Sequence, residues 1–205
     1  MEKIKVTRKT TESEMNVVLD FAPLKKDYRK YIKTPIPFLN HMIEHIAWRA
    51  SLNISIDMDF DEFELCHLVC EDVGMTLGKA VGEYININSP SGYGFATGII
   101  DEACADAAIS FEDRSQLTFQ KSINYCENVE GMPSEELITF LEGFAQGARC
   151  TLFIDLKSGQ NGHHIWEAVF RGVGIALGQA LSFDSSREGL TSGVAGKVEY
   201  EVSAE

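Results

Sequence analysis

The chain has 205 residues, 44% of them hydrophobic and 24% charged, enough to bury a sizeable core as one domain or two small ones. Its 18 basic residues face 31 acidic ones, a formal charge of −13, and no stretch gathers Lys and Arg into a phosphate-tracking stripe, which argues against a nucleic-acid partner. No apolar run reaches the ~18 residues of a membrane helix, and Met1-Glu-Lys-Ile-Lys-Val-Thr-Arg-Lys does not read as a signal peptide, so no membrane partner and a cytoplasmic location are expected.

In chain order, the alternation of Lys3 to Thr10 and the apolar run Met15 to Phe21 predict two strands. Thr34-Pro-Ile-Pro then opens a helix whose Phe38, Met42, Ile43 and Ile46 share one face. Leu52 to Phe60 alternates as a half-buried strand should, and Leu65 to Tyr84 predicts a longer helix. From about Gly94 the programme runs again, with strands at Ala105 to Phe111 and Gln116 to Lys121, a helix at Ser134 to Gly147, a strand at Cys150 to Leu156 and a helix at His163 to Phe183. The small-residue segments Gly74-Met-Thr-Leu-Gly78 and Gly174-Ile-Ala-Leu-Gly178 mark the same place in each copy. An α+β chain of two β-β-α-β-α half-domains follows, residues 1–92 and 93–205, forming one structural unit. Such units bury their apolar faces by packing helix layers together or against other subunits, so a homo-oligomer is expected.

The five cysteines, Cys66, Cys70, Cys104, Cys126 and Cys150, are odd in number and sit in apolar contexts, as reduced thiols do.

The chemistry lies in a motif carried by both copies. His67 and Glu71, and again His163 and Glu167, stand four apart on a helix, so each imidazole and carboxylate can converge on one cation. A single pair of this kind is ordinarily a surface ion pair; two copies at equivalent positions favour metal. Imidazole with carboxylate suits a divalent ion such as Mn²⁺, Fe²⁺ or Zn²⁺. His164 points about 100° from His163 and so serves a different metal or a different face. His41 has Thr139 as its repeat equivalent, which makes the duplicated site asymmetric. His45, one turn beyond His41, reads as a polar-face residue ahead of a further ligand. Cys66 and Cys70 flank His67 and could compete as thiolates, but read first as small buried apolar residues.

These residues, nearly end to end, resemble the imidazoleglycerol-phosphate dehydratases, manganese-dependent lyases of histidine biosynthesis. Arg8-Lys-Thr-Thr-Glu12 is similar to that family's Arg-x-Thr-x-Glu-Thr, and Ile36-Pro-Phe-Leu-Asn-His41-Met to its Ile-x-Phe-Leu-Asp-His-Met. His67-Leu-Val-Cys-Glu71-Asp-Val-Gly is similar to His-His-Thr-Val-Glu-Asp-Val-Gly, and Asn161-Gly-His-His-Ile-Trp-Glu167 to Asn-x-His-His-x-x-Glu. Asp101-Glu-Ala leads on to Arg114 as the family's Asp-Glu-Ala leads to its Ser-Gly-Arg.

The resemblance implies two half-domains with helices on one face of four-stranded sheets, as in the second domain of a small-ribosomal-subunit protein, and assembly into a shell of 24 subunits. It implies two Mn²⁺ sites between subunits, one holding His67, Glu71 and His164 and the other His41, His163 and Glu167. It further implies a small phosphorylated substrate, imidazoleglycerol phosphate, dehydrated while the metal binds its ring as an imidazolate. Glu12 takes the place of a substrate-contacting acid/base residue, and Arg114 and Lys197 remain as candidate phosphate ligands. The chain also departs from the pattern. Leu68 replaces the second His of the first pair, Thr139 replaces a His of the third helix, Arg49 and Tyr93 replace a His and an Arg, and Ala195-Gly-Lys197-Val replaces Ser-Thr-Lys-Gly. Each metal thereby loses one of four protein ligands, and a divergent site, another small anionic substrate or a silent homologue are the alternatives.

Overall fold

A computed structural model describes residues 3–60, 64–196, 198–199 and 201–203. The first half contains β1 (Lys3–Lys9), β2 (Ser13–Asp20), α1 (Pro37–Ala50), β3 (Asn53–Phe60) and α2 (Cys66–Asn88). The second contains β4 (Tyr93–Ile100), β5 (Ala103–Ser110), β6 (Gln116–Lys121), the short β7 (Asn128–Val129) and β8 (Met132–Pro133), α3 (Glu135–Ala148), β9 (Thr151–Ser158) and α4 (Gly162–Ala180). The α+β duplication is therefore present. α1 and α3 have 14 residues each, and α2 and α4 follow the third ladder strand of their halves.

The two sheets share one topology. In the first, β2 lies antiparallel between β1 and β3; in the second, β5 lies antiparallel between β4 and β9, and β6 adds a parallel strand beyond β9. The expected fourth strand of the first sheet is reduced to a single parallel bridge, Ile32 to Ile56. The segment before Ile32 coils into a 3-10 turn, Tyr28–Tyr31, and Pro35 and Pro37 beyond it have no N–H to donate, so pairing with β3 is confined to Ile32 and the Lys33 N–H, which donates to the Ile56 carbonyl at 3.3 Å.

The repeat opens one strand earlier than its sequence pattern predicts. The copy begins with β4, and Ala105 to Phe111 belongs to the second strand, β5. Tyr93-Gly-Phe-Ala-Thr-Gly-Ile-Ile is a weak strand sequence because Gly94 and Gly98 lie within it. The two glycines are needed for packing. A Cβ on either would collide with α4 backbone, at the carbonyl oxygens of Ala176 and Ala168.

Strand alternation puts Val17, Leu19, Ile54 and Ile56 on the inner face of the first sheet and Ala105, Ala107, Leu152 and Ile154 on that of the second, all fully enclosed. The helical layers meet in the middle, α2 across α3 and α1 across α4, and one hydrophobic core spans both halves. Phe140, Phe144, Trp166 and Phe170 are its largest fully buried side chains. This four-layer order brings the first turns of α2 and α3 together, and sets α1 against the first turns of α4. No helix among the described residues is long and apolar enough to cross a membrane.

Candidate metal centres

Two i,i+4 pairs from crossing helices face each other where α1 meets α4. His41 and His45 lie on one face of α1, His163 and Glu167 on one face of α4. The buried Glu167 carboxylate is the hub. Its Oε2 lies 3.4 Å from His163 Nε2 and 3.8 Å from His41 Nε2, and its Oε1 lies 3.3 Å from His45 Nε2. Arg171, one turn further along α4, hydrogen-bonds Oε1 through Nη2 and donates from Nη1 to the Ile99 carbonyl at 2.9 Å. So His41, His163 and Glu167, expected to share a metal, come together within one subunit.

The other three expected ligands do not converge within the chain. His67, exposed in the first turn of α2, meets Glu136 at the start of α3, and Glu71 sits half-buried one turn on. His164 turns the other way, toward Asp101 and Glu102 in the β4–β5 turn, with its Nε2 3.6 Å from Asp101 Oδ2.

A common pattern links the four histidines of the duplicated motif set. The Nδ1 of His163 lies 2.9 Å from Glu130, that of His164 2.9 Å from Glu102, that of His67 3.0 Å from Glu136 and that of His41 3.4 Å from Glu44. An ionised carboxylate only accepts, so each Nδ1 is the donor; of the remaining nitrogens, Nε2 of His41 and of His163 faces Glu167 and that of His164 faces Asp101. Carboxylates behind imidazoles in this way are the usual outer support of metal-ligating histidines. The donor set, imidazole nitrogen with carboxylate oxygen, fits a divalent cation of the Mn²⁺, Fe²⁺ or Zn²⁺ kind.

The electrostatics agree. Burial drives the His45 imidazole down to about 4, leaving it neutral near pH 7. Burial pushes the Glu167 carboxyl up, yet the cationic groups around it outweigh burial and hold it below its ordinary range. His45 is the largest of these influences and Arg171, which also hydrogen-bonds the carboxylate, the next. Glu102 is held down to about 2, first by the backbone N–H of Asn161 and then by His164. In return, the hydrogen bond to Glu102 raises the His164 imidazole.

Leu68 is buried, and the Thr139 hydroxyl donates to the Glu135 carbonyl of its own helix at 3.3 Å. Cys70 is fully enclosed and shares a hydrogen bond with Cys66, and burial raises both thiols, in keeping with their reading as small apolar residues. Glu12 is exposed in the β1–β2 turn, where its N–H donates to Thr10 Oγ1 at 3.1 Å, and Arg114 is exposed between β5 and β6. Among the described residues no hydrogen bond or ion pair joins either side chain to the histidines. Lys197 lies outside the described residues.

Sequence reasoning missed Glu44, Glu102, Glu130, Glu136 and Arg171 as supporting residues. Glu44 and Arg171 carried a local signal, at i+3 from His41 and i+4 from Glu167. Glu102 lies in the Asp101-Glu-Ala match, which marked the segment but not this role, whereas Glu130 and Glu136 come from elements remote in sequence that no local pattern identifies.

The family model for imidazoleglycerol-phosphate dehydratase matches residues 34–177. A relative of that name from Oceanobacillus iheyensis is 31% identical over 200 residues, covering 94% of this chain and 97% of its own, and one from Ralstonia pickettii is 33% identical over 188 residues, covering 91% and 94%. The crystal structure of imidazoleglycerol-phosphate dehydratase from Staphylococcus aureus superposes with a TM-score of 0.76 at 27% identity, covering 89% of this chain and 100% of its own. That from Pyrococcus furiosus, in complex with (S)-C348, has a TM-score of 0.76 at 28% identity, covering 94% and 100%.

Proposed function

This chain belongs to the imidazoleglycerol-phosphate dehydratase family, and we propose that it is a metal-dependent hydro-lyase converting imidazoleglycerol phosphate to imidazole acetol phosphate and water in histidine biosynthesis. The observation that carries the metal dependence is the shared posture of His41, His67, His163 and His164, each with Nδ1 against a carboxylate, together with the convergence of Nε2 of His41 and His163 on the buried Glu167.

His41, His163 and Glu167 would hold one cation. His67 and Glu71 of one copy would hold the other together with His164 of a neighbouring copy, since His164 faces away from α2 within its own chain. That requirement supports a homo-oligomer, the 24-subunit shell of the resemblance. Mn²⁺ is the proposed ion, with Fe²⁺ and Zn²⁺ as alternatives. When bound, such a cation supplies a Lewis acid that draws electron density from the substrate imidazole.

The chain's own residues do the rest. Dehydration removes a carbon-bound proton and a hydroxyl from adjacent carbons. Glu12, exposed on a turn and without a side-chain ion pair among the described residues, is assigned the proton transfer. Arg114 and Lys197 are assigned to the phosphate, Arg114 through its planar fork of donors. Protein purified without chelator is expected to contain a divalent metal by mass spectrometry, to dehydrate imidazoleglycerol phosphate with added Mn²⁺, and to support growth of a histidine auxotroph lacking the dehydratase. Metal without turnover would point to another small anionic substrate; neither metal nor turnover would overturn the proposal.

A further inference from the structure

We infer that His45 is a metal ligand, completing with His41, His163 and Glu167 a three-imidazole, one-carboxylate site held entirely within one subunit. The inference deepens the proposed metal dependence and rests on it.

His45 Nε2 is a buried polar atom with no hydrogen-bond partner. It lies 3.3 Å from Glu167 Oε1, within reach of an ion pair but outside hydrogen-bonding angles. A polar atom left in that state ordinarily represents a loss that native folds avoid, so its retention calls for a partner. The spacing identifies that partner. Around a cation with bonds of about 2.1 Å, ligand atoms on a tetrahedral edge stand about 3.4 Å apart and those on an octahedral edge about 3.0 Å.

The Nε2-to-carboxylate separations of 3.3, 3.4 and 3.8 Å for His45, His163 and His41 sit at or slightly above these edges. The ligand atoms of His41, His45 and Glu167 all lie within 4.8 Å of one another. His163 joins through Glu167 and through its ring, 5.4 Å from that of His41. Two clamps at i,i+4 spacing on crossing helices thus converge, the arrangement by which helical bundles build metal sites in their interiors.

The alternative is that His45 merely packs edge-on against His41, whose ring centroid is 4.7 Å away. Packing of that kind explains an aromatic ring but not the orphaned nitrogen aimed at Glu167. Position 68, where the resemblance expects an imidazole, offers only a buried leucine. A fourth ligand drawn from α1 removes the need for one.

The test is Co²⁺ binding to chelator-treated full-length protein, followed by calorimetry and by the visible d–d bands, in a His67→Gln background that removes the other cluster from the signal. In that background one Co²⁺ per subunit is expected, with three imidazoles counted by X-ray absorption. Adding His45→Gln is expected to weaken binding by at least about tenfold and to shift the visible bands. Melting of the metal-free variant checks that it folds, and the imidazole count in the parent protein stands independently of that variant. Two imidazoles in the parent, or unchanged affinity and bands on His45→Gln while His41→Gln abolishes binding, would overturn the inference and leave the metal reading standing. No Co²⁺ or Mn²⁺ uptake by the wild type would instead remove the metal reading, and this inference with it.

Discussion

His163 is tied through its Nδ1, at 2.9 Å, to Oε1 of Glu130, a residue in the turn between β7 and β8. Glu130 has φ +47° and the next residue, Gly131, φ +83°, so a glutamate occupies a left-handed position where Gly or Asn is favoured. That conformation costs about 1 kcal/mol. The carboxylate orients an imidazole facing Glu167, which accounts for accepting the strain. Glu130→Gly is therefore expected to keep or raise unfolding stability, by up to about 1 kcal/mol, while weakening divalent metal binding roughly tenfold. Urea unfolding beside calorimetric titration checks both; unchanged affinity would show that Glu130 does not position His163.

Gly74 allows α2 to cross α3 so closely that a Cβ there would collide with the Phe140 carbonyl oxygen. Backbone, unlike a side chain, cannot step aside. Gly74→Ala is expected to lose about 3 kcal/mol or more on unfolding, whereas Gly189→Ala, whose new Cβ would meet nothing within 4 Å but whose φ is +81°, is expected to lose only about 1 kcal/mol. Equal costs at the two sites would contradict the close crossing.

Arg8 reaches from β1 to the buried Asp72 of α2 at 2.5 Å, and Ser13 donates to the same oxygen at 2.8 Å. Removing the guanidinium strands a buried carboxylate. Arg8→Ala is expected to cost about 3 kcal/mol, and Arg8→Ala with Asp72→Asn distinctly less than the sum of the two single changes. Additive losses in a double-mutant cycle would show that the pair is not coupled.

Burial pushes the Cys150 thiol up to about 12 from an ordinary 9.0, and raises Cys70 in the same direction. Above pH 9 an unfolded chain gives up these protons while the folded one retains them, so they make stability fall as pH rises. Cys150→Ala should flatten that alkaline slope in melting curves measured from pH 8 to pH 10. In native protein iodoacetamide is expected to modify the exposed Cys126 while sparing Cys70 and Cys150 until denaturant is added. Early modification of Cys70 would contradict its enclosure.

The duplication was legible because its signals are local. Helical faces repeat every three or four residues, so Phe38, Met42 and Ile46 disclose α1, and the pairing of His163 with Glu167 follows from their spacing alone, whereas His67 meets Glu136 of another helix rather than Glu71. β4 was not legible, because its glycines weaken the strand pattern and serve a contact with α4 that no neighbouring residue records. Nor was the short first sheet, in which the segment that would pair with β3 coils into the Tyr28–Tyr31 turn and meets the strand only from Ile32.

The sequence by itself determined the family and the α+β repeat, and it singled out the histidines and carboxylates proposed to carry the chemistry. Tertiary structure alone decided which of them meet. His41, His45, His163 and Glu167 converge because α1 crosses α4, whereas His67 and His164, on helices equivalent in the repeat, face different carboxylates. Periodicity places a side chain on its own helix, but the distance between two helices is set by how closely their backbones approach, and that is decided by small residues such as Gly174 and Gly178, which lie against α1 at Ile46 and Ala50. His45, which in the sequence resembled any polar-face histidine, gains a role only from that crossing.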